Sequence, residues 1–111
     1  MMFTMLTVIR KRAEVSTEEF RRFMELEYGP TYVALPQTRE YIQYFLADAA
    51  TDGADEPIDA IVKISFDSQD DMRQALQSPS YHRACELRKA YLRETSAGIH
   101  PAIVEHTATL L

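Results

Sequence analysis

Hydrophobic positions alternate along some stretches of this chain and recur every three or four residues along others, and the two periods divide it into elements. Phe3 to Lys11 is rich in β-branched and large apolar residues, ends in charge, and reads as a strand. Ser16-Thr17-Glu18-Glu19 then has the spacing of a capping box. Val15 and Phe20 flank it at the spacing of a hydrophobic staple, and Phe20, Phe23 and Met24 form one helical apolar stripe. Tyr28-Gly29-Pro30 predicts the end of this helix, because glycine suits a left-handed cap and proline cannot continue the ladder. Arg39 to Ala47 reads as a second strand. Ile58 to Phe66 alternates most cleanly, with Ile58, Ala60, Val62, Ile64 and Phe66 on one side. Ser68 is placed to cap a short helix through Gln77, and Ser78-Pro79 to open a longer one to about Thr95. Pro101 to Leu110 completes the set as a last strand. Between the second and third strands, the small acidic stretch Asp48 to Pro57 reads as a surface loop.

The order is β-α-β-β-α-β, the split pattern of an α+β ferredoxin-like domain with an antiparallel sheet, spanning residues 1–111 as one domain. Both helices of such a domain cover the same sheet face, so a monomer requires the other face to be polar. The strands do not meet that requirement. Tyr41 and Phe45 fall on one side of the second strand, but Ile42, Tyr44 and Leu46 fall on the other. Leu6 and Val8 likewise oppose Phe3, Met5 and Ile9. That much apolar surface exceeds what soluble monomers leave exposed, and a second sheet from an identical subunit is the simplest cover. The pattern therefore predicts a homodimer.

Composition narrows the function classes. The chain has 111 residues with 46% hydrophobic content, room for one core but not for a second domain. Twelve basic against seventeen acidic residues, a formal charge of -5, argue against a generic nucleic-acid binder. The single cysteine, Cys85, cannot form an internal disulfide and implies no oxidising compartment. The apolar start precedes its basic cluster, Arg10 to Arg12, the reverse of a secretory signal, and is too short to span a bilayer. A cytoplasmic protein with no membrane partner is the resulting expectation.

Most chemical motifs are missing. Three scattered glycines make no phosphate loop, and His82, His100 and His106 lack metal-ligand spacing, so neither cofactor nor metal is expected. Cys85 reads as a packing residue. Polar groups between sheet and helices remain as candidates. Tyr28, at the end of the first helix, either donates to a ligand carbonyl or caps the rim of the core. Tyr41 and Tyr44 differ in parity by three, so one reaches the pocket side and the other the dimer side. His82 lies in the first turn of the last helix, where the positive helix end disfavours its charged form. His106 alternates with Val104 and Ala108 on the last strand, either as a buried hydrogen-bonded residue or as a catalytic base.

Several runs together resemble the EthD family. Ser16 to Phe23, Tyr28-Gly29-Pro30, Leu35-Pro36 and Arg39-Glu40-Tyr41 are similar to its N-terminal half. Phe66 to Met72 and Ala75 to Tyr81 are similar to its C-terminal half, and the likeness extends over roughly Met5 to Glu105. The resemblance implies a dimeric α+β barrel, in which two ferredoxin-like sheets close on each other and each subunit holds a small organic ligand. It also implies a link to oxidative degradation, EthD itself being associated with ether breakdown beside a cytochrome P450 system. Related barrels include cofactor-independent monooxygenases, polyketide cyclases and an isomerase. The family commonly carries His-Gly-Pro where this chain has Tyr28-Gly29-Pro30. A phenol is a poor general base near neutral pH, so a proton-moving role is lost or passes to His82 or His106. The isomerase-like cysteine corresponds to Ile64, which argues against that reaction.

Two readings follow. In the first, the chain is an accessory protein of catabolism that holds an apolar or aromatic oxygenated metabolite. In the second it is a cofactor-independent monooxygenase, isomerase or cyclase. In both, Phe20, Met24, Tyr44, Val62 and Ile64 are the candidate substrate contacts, with Tyr28, His82 and His106 as candidate catalytic groups.

Overall fold

The computed structural model describes residues 2–49, 57–95 and 98–111. Most of the predicted acidic loop from Asp48 to Pro57 lies outside them. Four strands, β1 (Phe3–Ile9), β2 (Glu40–Phe45), β3 (Ala60–Phe66) and β4 (Ile99–Ile103), form an antiparallel sheet in the order β2-β3-β1-β4. Helices α1 (Thr17–Phe23) and α2 (Gly29–Val33), joined by a π-helical turn (Met24–Tyr28), connect β1 to β2. Helices α3 (Gln69–Ala75) and α4 (Pro79–Leu87), the latter extended by a 3-10 turn (Arg88–Ala90), connect β3 to β4. The ferredoxin-like order expected from the periodicities is the one observed.

Local signals set most helix starts. Ser16 Oγ accepts the Glu19 amide at 3.1 Å, Ser68 Oγ the Asp71 amide at 3.1 Å, and Ser78 Oγ the Tyr81 amide at 3.3 Å. Each satisfies one of the amides a helix start leaves unpaired.

Register then sorts side chains onto two faces. One row carries Tyr41, Ile64, Met5 and Ile103, and the next Gln43, Val62, Thr7 and Pro101. These face the helices, where Ile9, Phe20, Phe23, Met24, Val62 and Leu92 are buried in the main core. The opposite face carries Ile42, Lys63, Leu6 and Ala102, then Tyr44, Ile61, Val8 and His100. No element covers it among the described residues. The molecule is accordingly a slab, 41 × 39 × 22 Å, thick enough for one sheet and one helical layer.

Three expectations change. The first helix does not end at Tyr28-Gly29-Pro30. Gly29 adopts an ordinary right-handed conformation (φ -56°), and its amide reaches back five residues to the Met24 carbonyl. This wider turn shifts the ladder so that Pro30, which has no amide to donate, sits in the first turn of α2. The Met24 carbonyl also accepts Gln43 Nε2 at 2.9 Å, tying the turn to β2. The last helix stops near Ala90 rather than Thr95, because backbone pairing with the end of β1 takes over: Arg12 donates to the Tyr91 carbonyl and Arg93 to that of Arg10. Finally, β4 spans Ile99–Ile103, not Pro101 to Leu110. Ile103 pairs with Met5 and Val104 donates to Thr4, near the start of β1. Beyond that the partner strand runs out, and residues 104–111 form no strand.

Gly29 is needed for close approach rather than for unusual φ. A Cβ there meets Gln43 Nε2 and the Met24 carbonyl oxygen, each at 2.8 Å. Gly29→Ala should therefore lower stability by about 1–3 kcal/mol despite alanine's better helix propensity. Urea unfolding checks this, and a variant more stable than the parent would contradict the close packing.

Candidate functional site

The widened turn and the sheet register together enclose a cavity of about 140 Å³ between the sheet and the helices. Its floor is apolar, built from Met5, Val62 and Ile64 with Thr7 between them. Its roof is polar. Tyr28 closes the π-turn, Tyr32 follows one turn later on α2, Tyr81 comes from α4, and Arg88 from the 3-10 turn after it. Tyr41 of β2 forms one wall, Ile99 and Pro101 of β4 another.

The tyrosines form one assembly. Tyr28 and Tyr32 Oη lie 2.9 Å apart. The Tyr32 ring stacks on Tyr41 (centroids 5.5 Å, 11° between planes) and meets Tyr81 edge to face at 6.2 Å. Five-residue spacing around the π-turn also brings Phe23 beside Tyr28, ring centroids 5.8 Å apart. Gln43 Nε2 donates to Tyr41 Oη at 3.0 Å as well as to Met24. Ser80 Oγ donates to the Thr31 carbonyl at 2.6 Å and pins α4 against α2.

The phenolic protons determine what this roof offers. Within the Tyr28–Tyr32 pair one hydroxyl donates to the other, so one phenolic proton stays available whichever way the bond runs. Tyr41 Oη accepts from Gln43 and keeps its own proton to give. Burial pushes Tyr28, Tyr32, Tyr41 and Tyr81 above the ordinary tyrosine value of 10.0. The Tyr28 phenol raises Tyr32 further, while Gln43 partly offsets the effect at Tyr41. All four are neutral donors at physiological pH. Burial works against the charge on Arg88, but its bond to Glu94 opposes this and keeps it a cation. Among the described lining residues the cavity thus supplies phenolic donors and a cation.

Tyr28, Val62 and Ile64 line the cavity as the sequence suggested. Other candidates do not. Phe20 and Met24 are fully buried in the core beside the cavity, Phe20 packed edge-on against Phe45 at 6.1 Å. Tyr44 lies on the opposite sheet face, 46% exposed, because strand parity sends Tyr41 to the cavity instead. His82 is exposed; it follows Tyr81, and successive helical residues point about 100° apart. His106 is exposed beyond the end of β4. Among the described residues no three His, Cys, Asp or Glu side chains gather into a metal-sized cluster. Sequence reasoning missed Tyr32, Tyr81 and Arg88. Tyr28 and Tyr32 at i, i+4, and Tyr81 and Arg88 at i, i+7, were the spacing signals that they share faces.

Fold and site define a ferredoxin-like α+β protein with an interior cavity of ligand size. A family model described as the EthD domain matches residues 12–87, and the chain belongs to the EthD family. Solved structures agree on the fold. An EthD (ethyl tert-butyl ether d) family protein of Bacillus halodurans superposes with a TM-score of 0.74 at 12% identity, covering 96% of this chain and 100% of that one. An Arabidopsis thaliana protein gives 0.74 at 11% identity, covering 98% and 99%. A dimeric ferredoxin-like protein of Jannaschia sp. CCS1 gives 0.70 at 17% identity, covering 96% and 100%. At these identities the likeness is one of fold. No curated protein matches the chain at a significant level.

Folding favours the protonated phenols, so the unfolded chain releases those protons at lower pH than the folded one. The stability they contribute is full below about pH 10 and is lost as pH rises above it. Unfolding free energy should fall by roughly 1 kcal/mol or more per pH unit in that range, and Tyr32→Phe should flatten the slope. Urea titrations at several alkaline pH values, read with phenolate absorbance, check this. Early ionisation of all six tyrosines without unfolding would contradict the buried assembly.

Proposed function

We propose that this chain is a small-molecule-handling accessory protein of oxidative catabolism, one domain over residues 1–111, working in the cytoplasm as a homodimer without cofactor. The observation that carries the reading is the cavity beneath Tyr28, Tyr32 and Tyr41. Its volume of about 140 Å³ suits a single ring, since cavities of about 150 Å³ hold benzene. The apolar floor favours a hydrocarbon body, and the available phenolic protons favour an oxygen acceptor on it. An apolar or aromatic oxygenated metabolite has both. The polar groups among the described lining residues are phenols, one threonine hydroxyl and a guanidinium, a set suited to holding an oxygen acceptor. The enzymatic alternative, a cofactor-independent monooxygenase, isomerase or cyclase, rests on the same donors polarising a carbonyl.

Proton nuclear magnetic resonance of the Val62 and Ile64 methyls tests the pocket. Acetophenone, one ring with one acceptor, should shift them, while a two-ring ketone should not. No shift at millimolar acetophenone, or equal binding of the larger ketone, would sink the reading. Conversion of the probe by the protein would favour the enzymatic alternative.

The dimer rests on the uncovered sheet face. Leu6, Val8, Ile42, Tyr44 and Ile61 line it in paired rows, with Leu6 38% exposed. The subunit exposes 7334 Å², about 1,000 Å² above the value scaled from its mass, and a stable interface needs about 800 Å² per partner. Relatives of this fold from Bacteroides fragilis, Jannaschia sp. CCS1 and Thermobifida fusca are described as dimeric. Lys63, between Ile42 and Leu6 on this face, is paired with Glu40 of β2 at 2.9 Å, which neutralises the charge it brings to the apolar rows. Sedimentation should show twice the 12.8 kDa chain mass, and Leu6→Asp should yield a folded monomer. A 12.8 kDa parent species at micromolar concentration would refute the dimer.

A further inference from the structure

The cavity is chemically lopsided. Arg88 is the sole charged residue among its described lining residues, and no carboxylate shares the wall. On its cavity side this guanidinium meets phenols and apolar groups, so an organic anion inside the cavity would meet no carboxylate among the described lining residues.

Position sharpens this. Tyr81, Arg88, Ile99 and Pro101 line both the enclosed cavity and a neighbouring outer depression, whose other members include Glu94. Arg88 therefore stands at the mouth, between interior and solvent. Outward, its Nε donates to Glu94 Oε1 at 3.0 Å. Inward, its charge reaches Tyr28 and Tyr81, where it offsets part of the effect of burial on each phenol. The ion pair engages Nε, and on the inner side the guanidinium also bears on the Tyr28 phenol, so a ligand carboxylate would be gripped beside that hydroxyl. Glu94 is itself partly exposed, its side chain at 35%, so its carboxylate can return to water when another takes its place.

We infer that the ligand is a one-ring organic monoanion, its ring on Val62 and Ile64 and its carboxylate at the mouth, held by Arg88 in exchange for Glu94. The inference rests on the pocket reading above and adds the charge of the ligand and the residue that selects it. Arg88 is here a specificity-determining residue, and Glu94 an internal stand-in that keeps the guanidinium paired while the site is empty. A single carboxyl group on a ring matches what oxidation of an alkyl side chain leaves behind. The reaction that supplies such a ligand is accordingly an oxidation ending in a carboxylic acid.

Benzoate and its neutral analogue benzamide are the probes, titrated by calorimetry into the full-length protein. Benzoate should bind about tenfold or more tightly than benzamide, as expected for a hydrogen-bonded charge pair. Arg88→Gln should abolish that preference, bringing benzoate affinity down to that of benzamide. Where Arg88→Gln fails to fold, Glu94→Gln decides the matter: removing the competing carboxylate should raise benzoate affinity several-fold and leave benzamide unchanged. Equal affinity for the two probes in the parent overturns the anion inference alone and leaves the pocket standing. Unaltered or weaker benzoate binding in Glu94→Gln does the same. Binding of neither probe overturns the pocket reading together with the inference.

Discussion

The Met24 carbonyl takes two donors, the Gly29 amide from five residues ahead and the Gln43 side chain from β2, and much of the interior follows from that shared oxygen. The five-residue bond opens the helix by one residue, and this is what lets Pro30 continue in α2. Gln43 Nε2 then approaches so closely that no side chain fits at Gly29. The same amide group donates to Tyr41 Oη and fixes the wall against which Tyr32 stacks. Backbone geometry, strand placement and cavity wall are thus coupled through a few hydrogen bonds. Loosening any one of them would let the helix close its turn and shift the tyrosines.

The cavity is a consequence of layering as well as of this turn. Helices cover one face of the sheet, and between them and the strands the aromatic rings leave a gap instead of filling it. Tyr28, Tyr32, Tyr41 and Tyr81 touch one another through edges and stacked faces, an arrangement that rings prefer to full interlocking. They line the cavity together, and burial keeps them protonated. The chemistry on offer is donation. Neither His82 nor His106 is among the residues that line the cavity. The proposed binding role follows from that balance of donors over bases.

The two faces of the sheet divide the labour. One carries the core and the cavity, the other a largely apolar surface that no helix or strand covers among the described residues. Both derive from the same alternation in β1, β2 and β3, since a residue and its neighbour must point to opposite sides. Tyr41 and Tyr44 illustrate it: three positions apart, they serve the ligand space and the proposed subunit contact respectively.

Periodicity and caps were enough to order the elements, because they act over a few residues: the serine caps at Ser16, Ser68 and Ser78 and the clean alternation of Ile58 to Phe66 hold in the structure. Parity along β2 already separated Tyr41 from Tyr44, although not which of them faced the helices. Where the answer depended on a distant partner, local pattern failed. Gly29-Pro30 reads as a stop until Gln43, fourteen positions later, is seen bonding Met24. Residues Glu105 to Leu110 read as strand until the pairing with β1 is seen to stop at the Val104 amide and the Thr4 carbonyl. Arg88 looks like any surface arginine until folding turns it toward Tyr28 and Tyr81. The chain alone therefore specified its elements, their order and its two-faced sheet, through interactions a few residues long. Long-range hydrogen bonding and packing chose the cavity's lining and removed both histidines from it, because neither is encoded within reach of a single turn.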